Sequence, residues 1–493
     1  MDSVKILIVI FFIKTLLLAF LIVPLWDVPD ETGHFSYVRD LAEFKSLPLL
    51  KTSVIEADIQ NHVFQVQDCQ PVDNWIAQHP PLYYLIAVPF YWLGNLLTDN
   101  KDLLYRSPRI ASALSGALTL FVLDKILLQF GLSLLIRLSV VASFASIPMY
   151  TLLSSGISQD TTVALFCSLA TLSWVRYIKD FRFSYALWCA FWVALAAFTK
   201  MTALVFAFAL MSTTVLALKT TSSWPQWFLR SSFLALITLS FPGLWMLRQF
   251  IHFGNPFVTY TNFSKWQLEE PLKTSFLEFI EKQPVFEHFF NHFYGLIGWA
   301  GTGLGKLHWF QVAGVPYKYF SVVIFLFLVV FVLTYVFELA VIYKRYAFFV
   351  AFFVAIGIFI FINIFEHNNI FYHIRRYAFF VLIFAIFLSF FFLFHKNEFL
   401  KRTITYSLVI SGFMFFIVFW EVYDLYLLDG RLRATHGRYF YTLIGIFAVF
   451  ISFVSLKFPI MVNIFYPIIS IGLVIAEGYV WLFEAIPFFK FNL

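Results

Sequence analysis

The sequence predicts an all-α, polytopic integral membrane protein, with about 13 transmembrane helices and a large first extracytoplasmic loop carrying interfacial helices. Three observations predict it. The chain is 61% hydrophobic and only 13% charged, with a mean hydropathy of +0.82. Apolar stretches of spanning length recur along its 493 residues. Lysine and arginine fall in alternate short connections, as the positive-inside rule requires of cytoplasmic loops. The net charge of +6 therefore does not point to nucleic acid, because basic loops account for it. Cys69, Cys167 and Cys189 make neither a disulfide framework nor a metal-binding spacing. The 67 phenylalanines read as lipid-facing surface.

Residues 1–493 read as one transmembrane domain. The first apolar run, 6–25, could be a signal peptide. Pro24, Trp26, Asp27 and Pro29 offer no small-x-small cleavage site, so it is read as a retained helix with a cytoplasmic amino terminus. Residues 27–107 follow as the first extracytoplasmic loop, with eleven Asp or Glu against five Lys or Arg. Within it the stretch 82–97, opened by Pro80 and Pro81, is short for a span and is predicted to lie along the interface. Further spans are predicted at 108–128, 134–152, 160–178, 183–199, 201–218, 230–250, 319–342, 347–364, 377–394, 403–423, 439–456 and 458–482. A second large extracytoplasmic segment, 251–318, is marked by Gly and Pro. No internal repeat is visible, which weakens the case for an inverted-repeat transporter.

The chemistry concentrates in "VPDETGHFSYVRDL", residues 28–41. Asp27 can cap a helix whose second position is Pro29, and acids suit a first helical turn. That reading covers Asp27 and part of Asp30 and Glu31. It does not cover His34, one turn after Asp30 on the same face, with Tyr37 near the next turn. Such a face at the water boundary can hold a carboxylate that accepts a proton from a hydroxyl. Capping and catalysis both remain open on the residues alone.

This stretch, followed by "QHPPLYYL" (78–85), "SPRIASALSGALTLFVL" (107–123), "SSGISQDTTVALF" (154–166), "AAFTKMTALVF" (196–206), "PGLWMLRQFIHFGNPF" (242–257) and "HGRYFYTLIG" (436–445), resembles the GT-C glycosyltransferases. The resemblance is to the protein O-mannosyltransferase and lipid A aminoarabinose transferase type and their bacterial relatives. It implies a GT-C fold in the inner (plasma) membrane and transfer of a sugar from a polyprenyl-phosphate donor. The acceptor would be a glycan, lipid or protein on the extracytoplasmic face. It also implies Asp30 as catalytic base and Glu31 as its acidic neighbour; His34 joins them as a catalytic candidate from its place on the Asp30 face. Relatives usually carry Glu-Lys-Pro-Pro where this chain has Gln78, His79, Pro80 and Pro81. An anionic metal ligand and a fixed positive charge are thus missing there, and no metal ligands are assigned; divalent-cation dependence stays open.

Cleavage of the donor builds negative charge on the departing lipid phosphate, so positioned cations should stabilise it. Lys200, Arg248 and Arg438 lie inside family-like stretches and are the candidates, ahead of Arg375 and Arg376. For each one, snorkelling or pairing stands beside phosphate contact. His79, Tyr83, Asp160 and Arg376 are candidates for acceptor or supporting roles, although Asp160 is equally explained as a helix cap. His288 and His292, spaced i and i+4, read more simply as part of an aromatic interfacial helix than as metal ligands. The expectation is an inverting transferase with Asp30 as base. Its rivals are a transporter or flippase of lipid-linked sugars, and an oligosaccharide polymerase or ligase.

Overall fold

The computed structural model describes residues 2–64, 66–260, 397–432, 437–457 and 459–491, and parts of 268–293. The chain divides into two compact units, residues 1–311 with 402–493, and residues 312–401. Only 397–401 of the second are described. There Lys401 N–H donates to Asn397 O at 2.8 Å, and the Lys401 ammonium lies 3.8 Å from Glu398. The predicted spans at 319–342, 347–364 and 377–394 lie outside the described residues.

The first unit is almost wholly helical. Helix α1, Ser3–Leu17, passes into a π turn, Leu18–Ile22, so the first span stops short of residue 25. The turn leaves the carbonyls of Ala19 and Val23 open, and the guanidinium groups of Arg106 and Arg109 fill them at 2.6–2.9 Å. Next come α2 (Glu31–Glu43), a two-residue strand β1 (Val54–Ile55), α3 (Ala57–Phe64) and a matching strand β2 (Val72–Asp73). The strands pair antiparallel, Val54 opposite Asp73, a small sheet that the helical pattern did not foreshadow. A 3₁₀ turn, Trp75–Gln78, then leads to α4 (Leu82–Leu97) and α5 (Lys101–Arg106). Helix α4 occupies the predicted stretch; Tyr83, Tyr84, Ala87 and Tyr91 are buried, whereas Trp92, Leu93, Leu96 and Leu97 are exposed.

The long helices follow: α6 (Arg109–Gln129), α7 (Leu134–Ala145), α8 (Pro148–Ser154), α9 (Gln159–Asp180), α10 (Phe183–Thr199), α11 (Ala203–Lys219) and α12 (Trp224–Phe253). After α13 (Phe276–Lys282) the described chain resumes with α14 (Glu398–Asp429), a 3₁₀ turn (Gly437–Leu443), α15 (Ile444–Lys457) and α16 (Pro459–Tyr479). A π turn (Val480–Ala485) and α17 (Ile486–Phe491) end it. Among the described residues, seven helices are long and apolar enough to cross a membrane, or eight if a bent pair counts as one. Helices α10 and α11, at 17 residues, would each reach about 25 Å, close to a bilayer's apolar thickness.

One predicted span is broken. The stretch 134–152 bends by 71° between α7 and α8, because Pro148 has no N–H to continue the ladder. The carbonyl of Ala145, the last residue of α7, is taken at 3.0 Å by the ammonium of Lys14, which also holds Glu477 from α16 at 2.7 Å and 2.9 Å. Thr151 of α8 completes the knot, donating to Glu477 at 2.6 Å.

Helix α9 is the axis of this unit. It is almost wholly buried inside the protein, whereas most of α1 is not, and it packs on α6, α10, α11 and α15. Its first turn is therefore held on several sides, and the candidate site forms there.

Candidate active site

Helix α2 begins at Glu31, not at the turn of Asp27 and Pro29, so the expected cap by Asp27 is replaced by another arrangement. Asp30 stands at the capping position yet makes no side-chain cap bond, and its backbone is left-handed, at φ 62° and ψ 15°. A left-handed aspartate is uncommon and costs of order 1 kcal/mol or more. Its carboxylate turns elsewhere: Oδ1 accepts the Trp75 indole N–H at 3.1 Å, and Oδ2 accepts from Arg438 Nη2 at 2.9 Å.

Two close approaches fix this turn. A Cβ on Gly156 would run into the Val28 side chain, so only glycine lets the turn lie against the entry to α9. A Cβ on Gly33 would meet Ile76 at 2.6 Å, so the first turn of α2 sits directly on the Trp75–Gln78 turn. Asn74 bolts the two together, donating to Gly33 O at 3.1 Å and accepting from Ile76 N at 3.0 Å.

Arg438 also reaches Asp160, with Nε 3.3 Å from Oδ2, while Lys200 Nζ donates to Asp160 Oδ1 at 2.6 Å. Asp160 is not the cap of α9. Ser158 does that, its hydroxyl accepting from Asp160 N, which leaves the Asp160 carboxylate for the cations. Lys200 leaves the end of α10 and lies over the Tyr439 ring at 4.8 Å. Two carboxylates and two cations thus meet in one cluster. Arg438 is its bridge. The Asp30 side chain, 22% exposed, is the open member; those of Asp160 and Lys200 are each 8% exposed.

His34 borders the cluster. Its Nδ1 lies 3.0 Å from the Tyr84 hydroxyl, and its ring stacks on that of Tyr84. Burial pushes His34 down to about 4 despite the pull of Asp30 and Asp160, so the imidazole is neutral at pH 7. Burial likewise holds His79 well below the ordinary histidine range, aided by Lys200 and by His34. The His79 carbonyl accepts from the Tyr37 hydroxyl at 3.1 Å, and Tyr37 stacks on Tyr84 at 3.8 Å. Tyr83 is a tether: its hydroxyl pairs with Ser112 at 2.8 Å, and Ser112 bonds the backbone of Ser158, the residue that caps α9.

Glu31 faces away from this cluster. Both of its oxygens take bidentate donation from Arg109 at 2.8 Å, and they also accept from Trp26 N and Ile157 N. The pair is fully buried and ties α2, α6 and the entry to α9 together. Arg248 is separate as well. Its Nη2 donates to Leu47 O and Pro48 O at 3.2 Å and 2.9 Å, its guanidinium lies over Trp245, and it holds the loop after α2. Arg376 and His292 lie outside the described residues. Among the described residues, no group of three or more His, Cys, Asp or Glu could hold a metal ion.

Sequence reasoning passed over Trp75, Arg109 and Tyr84. Arg109 had a signal: an arginine at the head of an apolar helix needs a buried partner, although the sequence does not say which acid supplies it. Trp75 had none, since its role follows from a turn that brings it beside Asp30.

No family model matches the chain, and no curated protein matches it. Among solved structures it is similar to the S. cerevisiae protein O-mannosyltransferase Pmt1-Pmt2 complex bound to the sugar donor, at 17% identity and a TM-score of 0.36. That match covers 52% of this chain and only 34% of the other. It is also similar to ArnT from Cupriavidus metallidurans in the apo state, at 12% identity, over 91% of this chain and 76% of that one, with a TM-score of 0.38. Against the same protein bound to undecaprenyl phosphate the values are 13%, 92%, 76% and 0.37.

Proposed function

We propose that this chain is a membrane glycosyltransferase that moves a sugar from a polyprenyl-phosphate donor to an acceptor hydroxyl or amine on the extracytoplasmic face. The observation that carries the reading is Arg438, bridging the open carboxylate of Asp30 and the buried carboxylate of Asp160 beside Lys200. This constellation suits a reaction that moves a proton and creates phosphate charge in one step.

Asp30 accepts the acceptor's proton while the acceptor oxygen or nitrogen attacks the anomeric carbon, with inversion. The bond from that carbon to the phosphate oxygen breaks, and its electron pair leaves with the lipid phosphate. Protonation of Asp30 removes the charge that engages Arg438 Nη2, so the guanidinium becomes available as the phosphate gains charge. Lys200, fixed by Asp160, is the second cation. His34, neutral and walled by Tyr84, forms the side of the site. Glu31 serves through Arg109, and Arg248 serves the loop after α2.

The test is to incubate the purified protein with a panel of polyprenyl-phosphate sugars and an acceptor mixture. One donor should lose its sugar, and Asp30→Asn should slow that loss by about 100-fold or more. Movement of intact donor across vesicles with no loss of sugar would sink the reading.

A transporter of lipid-linked sugars draws support from one observation, the Lys14–Glu477 pair at the broken helix α7–α8. Those charges, however, are bonded to each other, to Thr151 and to Ala145 O. The pair therefore suits the joining of helices better than the holding of cargo.

A further inference from the structure

Asp30 occupies the position where an aspartate ordinarily caps a helix, and it gives that bond up. Something must hold its carboxylate in the alternative direction. Arg438 takes one oxygen, but Arg438 is shared with Asp160 and, in the proposed reaction, with the phosphate. The other oxygen has a partner that carries no charge and belongs to no other acid: the indole N–H of Trp75, at 3.1 Å.

Trp75 is well placed to be rigid. It opens the 3₁₀ turn that Asn74 caps, Asn74 N–H donates to Ser53 O at 2.9 Å beside the small sheet, and Ile76 packs under Gly33. The ring is partly buried against the aromatic cluster that contains Trp26, Phe35, Tyr37 and Tyr84. An indole has a single donor and cannot rotate a second one into place. The oxygen it binds is thereby fixed in direction.

We infer that Trp75 is a positioning residue. Its indole N–H holds the Asp30 carboxylate out of the capping geometry and aims it at the acceptor. This rests on the reading of Asp30 as base. During the reaction the Arg438 contact weakens as Asp30 is protonated, and the Trp75 contact keeps the carboxyl group from swinging back to the open N–H groups of α2.

The experiment uses the full-length protein in nanodiscs. Trp75→Phe and an isosteric benzothienylalanine at position 75 both remove the N–H, the second with almost no change of shape. Turnover should fall about tenfold or more, as for the loss of one hydrogen bond to a charged group, while the donor KM stays within about twofold. In an Asp30→Asn background the same changes should add little further loss, because the two residues act as a unit. Independently of activity, the Trp75 indole ¹⁵N–¹H resonance, identified by its disappearance in Trp75→Phe, should shift in Asp30→Ala. Unchanged turnover in the isosteric variant would overturn the inference. So would an unmoved resonance, or a loss confined to the amount of folded protein. Absence of any sugar transfer by the unaltered protein would instead overturn the proposed function, and the resonance would still report on the Trp75 contact.

Discussion

Glu31 and Arg109 form a bidentate ion pair at 2.8 Å with no exposure on either side, joining residues 78 positions apart beneath the Asp30 turn. The pair gives the site a rigid floor. Glu31 is also the anchor for two backbone N–H groups, so the whole turn from Trp26 to Glu31 is keyed to the entry of α9.

Removing one member of that pair should destabilise the protein strongly. Arg109→Ala leaves a buried carboxylate with two backbone donors only, and the expected loss is about 3–5 kcal/mol. Thermal unfolding in detergent should show a clearly lowered Tm, with residual activity falling in proportion to folded protein.

Lys200→Met should act differently. It removes one of the two cations beside Asp160, whose carboxylate keeps Arg438 as a partner. The expected outcome is a rise of about tenfold or more in the donor KM, and a fall in kcat from weaker stabilisation of the departing phosphate. Kinetics with varied donor at saturating acceptor would show it; an unchanged KM and kcat would exclude Lys200 from the site.

His34 is lowered from the ordinary histidine value to about 4 by burial, so between there and 6.5 the unfolded chain binds more protons. The stabilisation is fully present above pH 6.5 and is lost as pH falls toward 4, amounting to about 3 kcal/mol across the window. Unfolding curves from pH 7.5 to 4.5 should fall less steeply for His34→Asn than for the unaltered protein.

Lys14, Thr151 and Glu477 hold one another across α1, α8 and α16. Lys14→Met and Glu477→Gln should each lower stability by a few kcal/mol, whereas Lys14→Met with Glu477→Met should recover much of it. Thermal unfolding of the three variants tests this, and additive losses in the double variant would count against it.

Much of this was legible from residue order, and what was not has physical causes. Helix α4 could be read at its observed ends because Pro80 and Pro81 open it and its apolar face is continuous. Asp30, Asp160, Lys200 and Arg438 could be named from short stretches, but their meeting could not. It depends on α9, α10 and the Gly437–Leu443 turn converging at one level, and on Arg438 and Asp30 pairing across 408 positions. The bend at Pro148 was hidden inside a continuous apolar run, since hydropathy is blind to a lost N–H. Trp75 was hidden because its partner is chosen by a turn, not by spacing.

Lys14 and Glu477 have a consequence for biosynthesis. The first helix is made with an ammonium in its middle, and the carboxylate that neutralises it is translated 463 positions later. Until then Lys14 can reach only toward the headgroups or toward Ala145 O and Thr151, which are themselves made long after it. The helices of this unit therefore assemble around an unfinished charge, and arrival of α16 closes it.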